Sequence, residues 1–85
     1  MKPVELYTTM TCGYCHAAKR LLTAKGVSYS EISLNKQPER RAEMMQRANG
    51  GRTVPQIFIG DRHVGGYDDL AALEHAGKLD ALLAA

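Results

Sequence analysis

The sequence predicts an α/β protein: a mixed four-stranded sheet with helices on both faces, in the order β-α-β-α-β-β-α-α. Three observations predict it. Short apolar runs with strand character alternate with stretches of helical spacing through the first half of the chain. A first β-α-β unit favours parallel strands joined by a right-handed crossover. Two further runs then flank Gly60-Asp61, a pair suited to a tight hairpin turn that adds antiparallel strands. With 85 residues the chain has room for one modest core, and a single domain over 1–85 is expected.

Val4 to Tyr7 reads as the first strand, with Pro3 tolerated at its start. Thr8 to Thr11 is a loop, and Thr11 is placed to cap the helix that follows. That helix runs from about Tyr14 to Lys25, with Ala17, Ala18, Leu21 and Leu22 on one face and Lys19 and Arg20 on the other. Gly26 ends it. Val27 to Leu34 holds the second strand, with Val27, Tyr29 and Ile32 as its apolar positions. Asn35 is the expected N-cap of a second helix, Pro38 lies in its first turn, and Asn49-Gly50-Gly51 stops it. Ala42, Met45 and Ala48 are expected inward on this helix, and Arg40, Arg41, Glu43 and Arg47 outward. Thr53 to Ile59 covers the third strand and its approach, and Arg62 to Val64 the fourth, which Gly65-Gly66 breaks. Asp68-Asp69 opens a third helix with Leu70, Ala71, Leu73 and Ala76 inward. Gly77 ends it, and Leu79 to Leu83 forms a short last helix.

Composition excludes several functions. Hydrophobic residues make up 45% and charged residues 24%, both ordinary for a globular protein. A net charge of +2, with Lys and Arg scattered and no aromatic-studded basic stripe, argues against nucleic acid. No apolar run approaches the roughly 18–20 residues that span a membrane, and no charged n-region followed by an apolar h-region opens the chain. A cytoplasmic location is therefore expected. There a close cysteine pair is more often catalytic or metal-binding than a structural staple.

The only two cysteines, Cys12 and Cys15, lie where the first strand hands over to the first helix. At this spacing they can close a small disulfide ring or open it to a dithiol. The thiolate is the reactive form, and a helix N-terminus favours negative charge through its outward N–H groups. Cys12 is thus the expected exposed nucleophile of lowered pKa, and Cys15, one turn in, its more buried partner. Other readings of the pair exist. The two thiols can be buried and inert. Cys12-Gly13-Tyr14-Cys15-His16 is also literally a Cys-x-x-Cys-His haem-attachment motif, which the absence of an export signal opposes. Structural zinc needs four ligands, and His16, His63 and His75 lie on different elements.

Three separated motifs, Cys12-Gly13-Tyr14-Cys15, Thr53-Val54-Pro55 and Gly65-Gly66-Tyr67-Asp68-Asp69, give the whole chain a resemblance to the glutaredoxins, which have the thioredoxin fold. It looks most like the short bacterial dithiol members. The resemblance implies a glutathione-dependent thiol–disulfide oxidoreductase acting on protein disulfides and glutathionylated proteins. Cys12 is then the nucleophile and Cys15 the resolving thiol, the two forming the redox-active disulfide. Pro55 is the family's cis-proline, preceded by Thr53, and the Val54 backbone pairs with that of glutathione as a short added strand. Gly66, Tyr67, Asp68 and Asp69 take the glutamyl end of glutathione, whose carboxylate suits helix N–H groups and whose ammonium suits an Asp. Tyr14 shields Cys12 and packs on the ligand.

Two departures from the family pattern matter. Gly13 stands where proline is common. Small residues there resemble members that hold a [2Fe-2S] cluster between two subunits with glutathione as co-ligand, each subunit giving one thiolate such as Cys12. A monomeric enzyme and a cluster-bridged homodimer are therefore both carried forward. Second, Thr8, Thr9 and Met10 fill a loop where many members have a lysine that pairs with a glutathione carboxylate. Arg52 is the expected partial substitute.

Overall fold

The computed structural model describes residues 1–84; Ala85, the last residue of the expected 1–85 domain, lies outside the described residues. Strands β1 (Val4–Thr8), β2 (Ser30–Ser33), β3 (Gln56–Ile59) and β4 (Arg62–Gly65) form one sheet in the order β2-β1-β3-β4. β1 pairs parallel with β2 and antiparallel with β3, which pairs antiparallel with β4. The helices are α1 (Gly13–Ala24), α2 (Arg41–Arg47), α3 (Tyr67–His75) and α4 (Leu79–Leu83). The element order and the mixed sheet are those the sequence predicts.

Strand periodicity divides the core in two. On one face Val4, Leu6, Ile57 and Ile59 pack against Ala18 and Leu22 of α1, Leu70 of α3, and Leu79 and Leu83 of α4. On the other, Tyr7, Ile32 and Phe58 meet Leu34 and, on α2, Met44 with the following Ala48. Side chains alternate across a strand, so adjacent apolar residues such as Leu6 and Tyr7 serve opposite layers. Burying each large apolar side chain contributes about 1.5–3 kcal/mol, and both layers are needed to hold a chain of this size.

The second helix departs from expectation in three ways. A single 3₁₀ turn, Pro38–Arg40, precedes α2, and no side chain caps either segment. Asn35 instead turns away, its Oδ1 accepting from the Met10 amide at 2.6 Å across the sheet end. Met44, fully buried, faces the sheet, whereas Met45 is half-buried and Ala42 exposed. Helical spacing permits both faces, by threes through Ala42, Met45 and Ala48 or by four through Met44 and Ala48. The second puts the longer side chain into the layer and wins. Ala76 of the third helical stretch is likewise exposed rather than inward.

Arg47 also defies its outward assignment. Its guanidinium lies 4.1 Å from the Phe58 ring centroid. Nη1 donates to the Tyr7 hydroxyl at 3.0 Å and Nη2 to Glu5 at 2.9 Å. The Tyr7 hydroxyl donates in turn to Glu43, which Arg40 holds at 2.7 Å. A long arginine stem lies along apolar surface while its head stacks on an aromatic face, so an arginine at this position roofs the layer rather than leaving it. Burial, followed by the hydrogen bond to Glu43, raises the Tyr7 pKa.

Candidate active site

Cys12 is itself the N-cap of α1, with extended backbone at φ −87° and ψ 110°, and Thr11 stays outside as an exposed residue. Its sulfur accepts from the Cys15 amide at 3.1 Å. One of the orphan donors of the first turn is therefore spent on the thiol itself, where a hydroxyl usually sits. The thiol also contacts the Val54 carbonyl at 3.5 Å; that oxygen only accepts, so Cys12 donates its S–H there. An amide that a sulfur anion can use and a carbonyl that holds the neutral thiol thus frame one atom.

Cys15 is completely buried while Cys12 is partly exposed, and both are free thiols. Burial, then the hydrogen bond with Cys12, pushes the Cys15 thiol up to about 12. Near neutral pH it is a protonated thiol beside an accessible one. Lys19 lowers the Cys15 pKa only as the smallest of its causes, and its ammonium lies 3.0 Å from Glu31, which also accepts from the Thr8 hydroxyl at 2.6 Å. The Thr8 hydroxyl, with Lys19 behind it, holds the Glu31 carboxyl below the usual carboxylate range.

Beside Cys12 lies a groove of about 350 Å³ lined by Tyr14, Thr53, Val54, Pro55, Gly66, Tyr67, Asp68 and Asp69. Those are the eight residues to which the resemblance gives the ligand, drawn from three distant parts of the chain. The Val54–Pro55 bond is cis. Tyr14 is exposed and its ring stacks on that of Tyr67, with centroids 6.3 Å apart and planes 24° apart. Gly66 caps α3, and its amide donates to Asp69 Oδ2 at 3.0 Å. Asp69 is thereby engaged within the helix start. Asp68, its exposed neighbour, lines the groove outside that contact.

Other expectations fall elsewhere. Arg52 is exposed and is not among the residues lining the groove; its carbonyl accepts from Arg41. His16 pairs through Nε2 with the Met10 carbonyl at 3.1 Å, and His63 with Gln56 at 2.6 Å. Among the described residues no group of three or more His, Cys, Asp or Glu side chains is arranged to hold a metal ion. The same residues include no helix long and apolar enough to cross a membrane. Sequence reasoning missed Asn35 and His16, which hold the Met10 loop before Cys12, and Gln56 behind the proline loop. The available signal for Gln56 was its polarity inside an otherwise apolar run.

A reduced Cys-x-x-Cys at a helix start, with one thiol accessible and one in the core of a mixed sheet, defines a thiol–disulfide oxidoreductase of the thioredoxin fold. A family model for glutaredoxins matches residues 4–64. A glutaredoxin from Pseudomonas aeruginosa is 60% identical over all of both chains. Glutaredoxin 3 from Escherichia coli is 53% identical over 83 residues, covering 98% of this chain and 99% of that one. The solved complex of buckwheat glutaredoxin with glutathione superposes with a TM-score of 0.87 at 34% identity, over 96% of this chain and 76% of that one. The chain belongs to the glutaredoxin family.

Proposed function

We propose that the protein is a glutathione-dependent thiol–disulfide oxidoreductase, with Cys12 as nucleophile, Cys15 as resolving thiol and the adjoining groove as the glutathione site. The observation that carries the reading is convergence. Eight residues from three motifs line one groove, and one of them, Val54, touches the Cys12 thiol. The glutathione complex of the buckwheat relative supports the same assignment.

Cys12, as thiolate, attacks the glutathionyl sulfur of a mixed disulfide. The Cys12–glutathione disulfide forms as the protein–glutathione bond breaks, and the protein thiolate leaves and takes up a proton. A second glutathione thiolate then attacks the glutathionyl sulfur, releasing oxidised glutathione and the Cys12 thiolate. On a protein disulfide, Cys12 attacks one sulfur and expels the other as thiolate. Cys15 then attacks Cys12, expelling the target thiolate and leaving a Cys12–Cys15 disulfide, which two glutathiones reduce in turn as they become oxidised glutathione. Cys15 must first lose a proton that burial makes it hold tightly. In the groove, the Val54 backbone takes the tripeptide backbone, the open N–H groups of α3 take the glutamyl carboxylate, and Asp68 takes the ammonium. The Tyr14–Tyr67 stack forms part of the groove wall. Such a cycle belongs in a compartment rich in reduced glutathione, such as the cytoplasm.

The test is steady-state reduction of a glutathionylated peptide by glutathione. Cys12→Ser is expected to abolish it and Cys15→Ser to retain most of it. Normal turnover in Cys12→Ser would refute the assignment.

A second reading is favoured by Gly13, where an added Cβ would meet nothing within 4 Å. The surface beside Cys12 is therefore open. Each chain offers one accessible thiol, since Cys15 is completely buried. A [2Fe-2S] cluster would then need Cys12 from two chains and two glutathione thiols, supplying electron-transfer or cluster-carrier chemistry. Colourless, monomeric protein after anaerobic reconstitution with iron, sulfide and glutathione would refute it.

A further inference from the structure

β3 reads Gln56-Ile57-Phe58-Ile59, one polar residue at the head of an apolar strand, and Gln56 is only 5% exposed. A buried amide needs partners at both ends. Gln56 Nε2 donates to the Thr53 carbonyl at 3.0 Å, three residues back in the proline loop. A carbonyl only accepts, so the amide NH₂ must face the loop and Oε1 must face away from it. Oε1 lies 2.6 Å from His63 Nε2 on β4. An amide oxygen also only accepts, so His63 carries its proton on Nε2.

Both residues are fixed from outside the groove. His63 is the sheet partner of Phe58, and their rings stack at 5.0 Å with planes 28° apart. Arg47 covers that same Phe58 ring. On the loop side, a Cβ at Gly51 would lie 2.9 Å from Gln56 Nε2, so the amide is also packed against the turn that follows α2. One chain of contacts thus runs from the strand interior to the backbone of Thr53.

We propose that His63 and Gln56 are positioning residues that fix the Thr53–Pro55 segment, setting the groove wall and the place of the Val54 carbonyl against Cys12. Neither residue lines the groove. The effect on glutathione rests on the groove being its site, as proposed above; the effect on the loop does not.

Two variants separate the roles. His63→Phe keeps an aromatic ring against Phe58 and removes the donor; His63→Gln restores a donor of similar reach. In the free protein, His63→Phe is expected to raise the open population of the loop about fivefold, the equilibrium weight of one ordinary hydrogen bond, read as conformational exchange at Thr53 and Val54 by ¹⁵N relaxation dispersion. The glutathione KM is expected to rise by about the same factor with kcat little changed, and His63→Gln to recover both. A ¹⁵N shift typical of the Nε2-protonated tautomer at His63 is expected in the parent. Unchanged loop exchange in His63→Phe overturns the proposal. So does an unmoved KM in an enzyme that does use glutathione, because the pair would then be structural alone. Increased loop exchange in a protein whose parent form makes no use of glutathione would sink the glutathione reading and leave the positioning role standing.

Discussion

Gly65→Ala is the substitution whose consequence the structure fixes most tightly. Gly65 closes β4 at φ +115°, a conformation that L residues rarely adopt. A Cβ there would collide with Asp69 Oδ2 and lie 3.0 Å from Asp69 Cγ. The carboxylate can swing aside, but it is the acceptor for the Gly66 amide at the head of α3. Forcing an alanine into this backbone costs about 1–3 kcal/mol. Losing the Asp69 contact adds about 1 kcal/mol. The sum of about 2–4 kcal/mol is a large share of the 5–15 kcal/mol typical of a whole domain, and lowers Tm by about 8 °C or more. Gly77→Ala is the control: φ is +71° and a Cβ would meet nothing within 4 Å, so only the left-handed cost of about 1–2 kcal/mol applies. Urea denaturation of both variants decides the matter, with Gly65→Ala/Asp69→Ala as a third arm. If the carboxylate is the obstacle, the double variant is no less stable than Gly65→Ala alone. Gly65→Ala as stable as Gly77→Ala would refute the reasoning. The same displacement disturbs the opening amides of α3, so on the proposed function the glutathione KM should rise with the stability loss.

Two further expectations concern the two layers. Met44→Ala should cost about 2–5 kcal/mol and Met45→Ala clearly less, because only Met44 is fully buried; equal losses in chemical denaturation would restore Met45 to the inward face. Stability should fall in alkali through Cys15, whose folded thiol is raised from an ordinary 9.0 to about 12. The unfolded chain gives up this proton first, so the contribution is complete below pH 9 and is lost as pH rises through about 12. Cys15→Ala should reduce the fall in stability from pH 9 upward, leaving a slope above pH 10 that the raised Tyr7 shares with Lys25, held by Glu74 and Asp80, and that Tyr7→Phe reduces further. An unchanged profile in both variants would refute the assignment.

What the sequence made legible follows from which interactions are local. Turn glycines, strand alternation and the helical spacing of Ala18 and Leu22 are set within a few residues, and the elements they predict are present. The phase of α2 was not legible. It depends on a 3₁₀ turn and on which methionine the sheet admits, and both are decided by tertiary packing. Asn35 misled for a related reason. A short polar side chain before a proline suits a helix cap, yet an amide twenty-five residues earlier in the chain offered it a hydrogen bond. Arg47 read as solvated because charge patterning says nothing about an aromatic ring waiting on the strand below. The pairing of Gln56 with His63 was not legible because only the sheet register brings them together.

The difference between the two thiols was legible in principle, and it ties the fold to the chemistry. Cys15, Ala18 and Leu22 fall at i, i+3 and i+7, one stripe of α1, and all three are completely buried. Cys15 is therefore a residue of the same stripe that holds α1 on the sheet. Cys12, one turn earlier, would continue that stripe, but the helix begins at Gly13 and its extended backbone carries the sulfur out to the groove. A helix starting one turn sooner would draw Cys12 onto the buried face as well. The helix start thus divides two identical side chains into an accessible thiol and a buried, protonated one, and the proposed exchange chemistry depends on the N-cap geometry of Cys12.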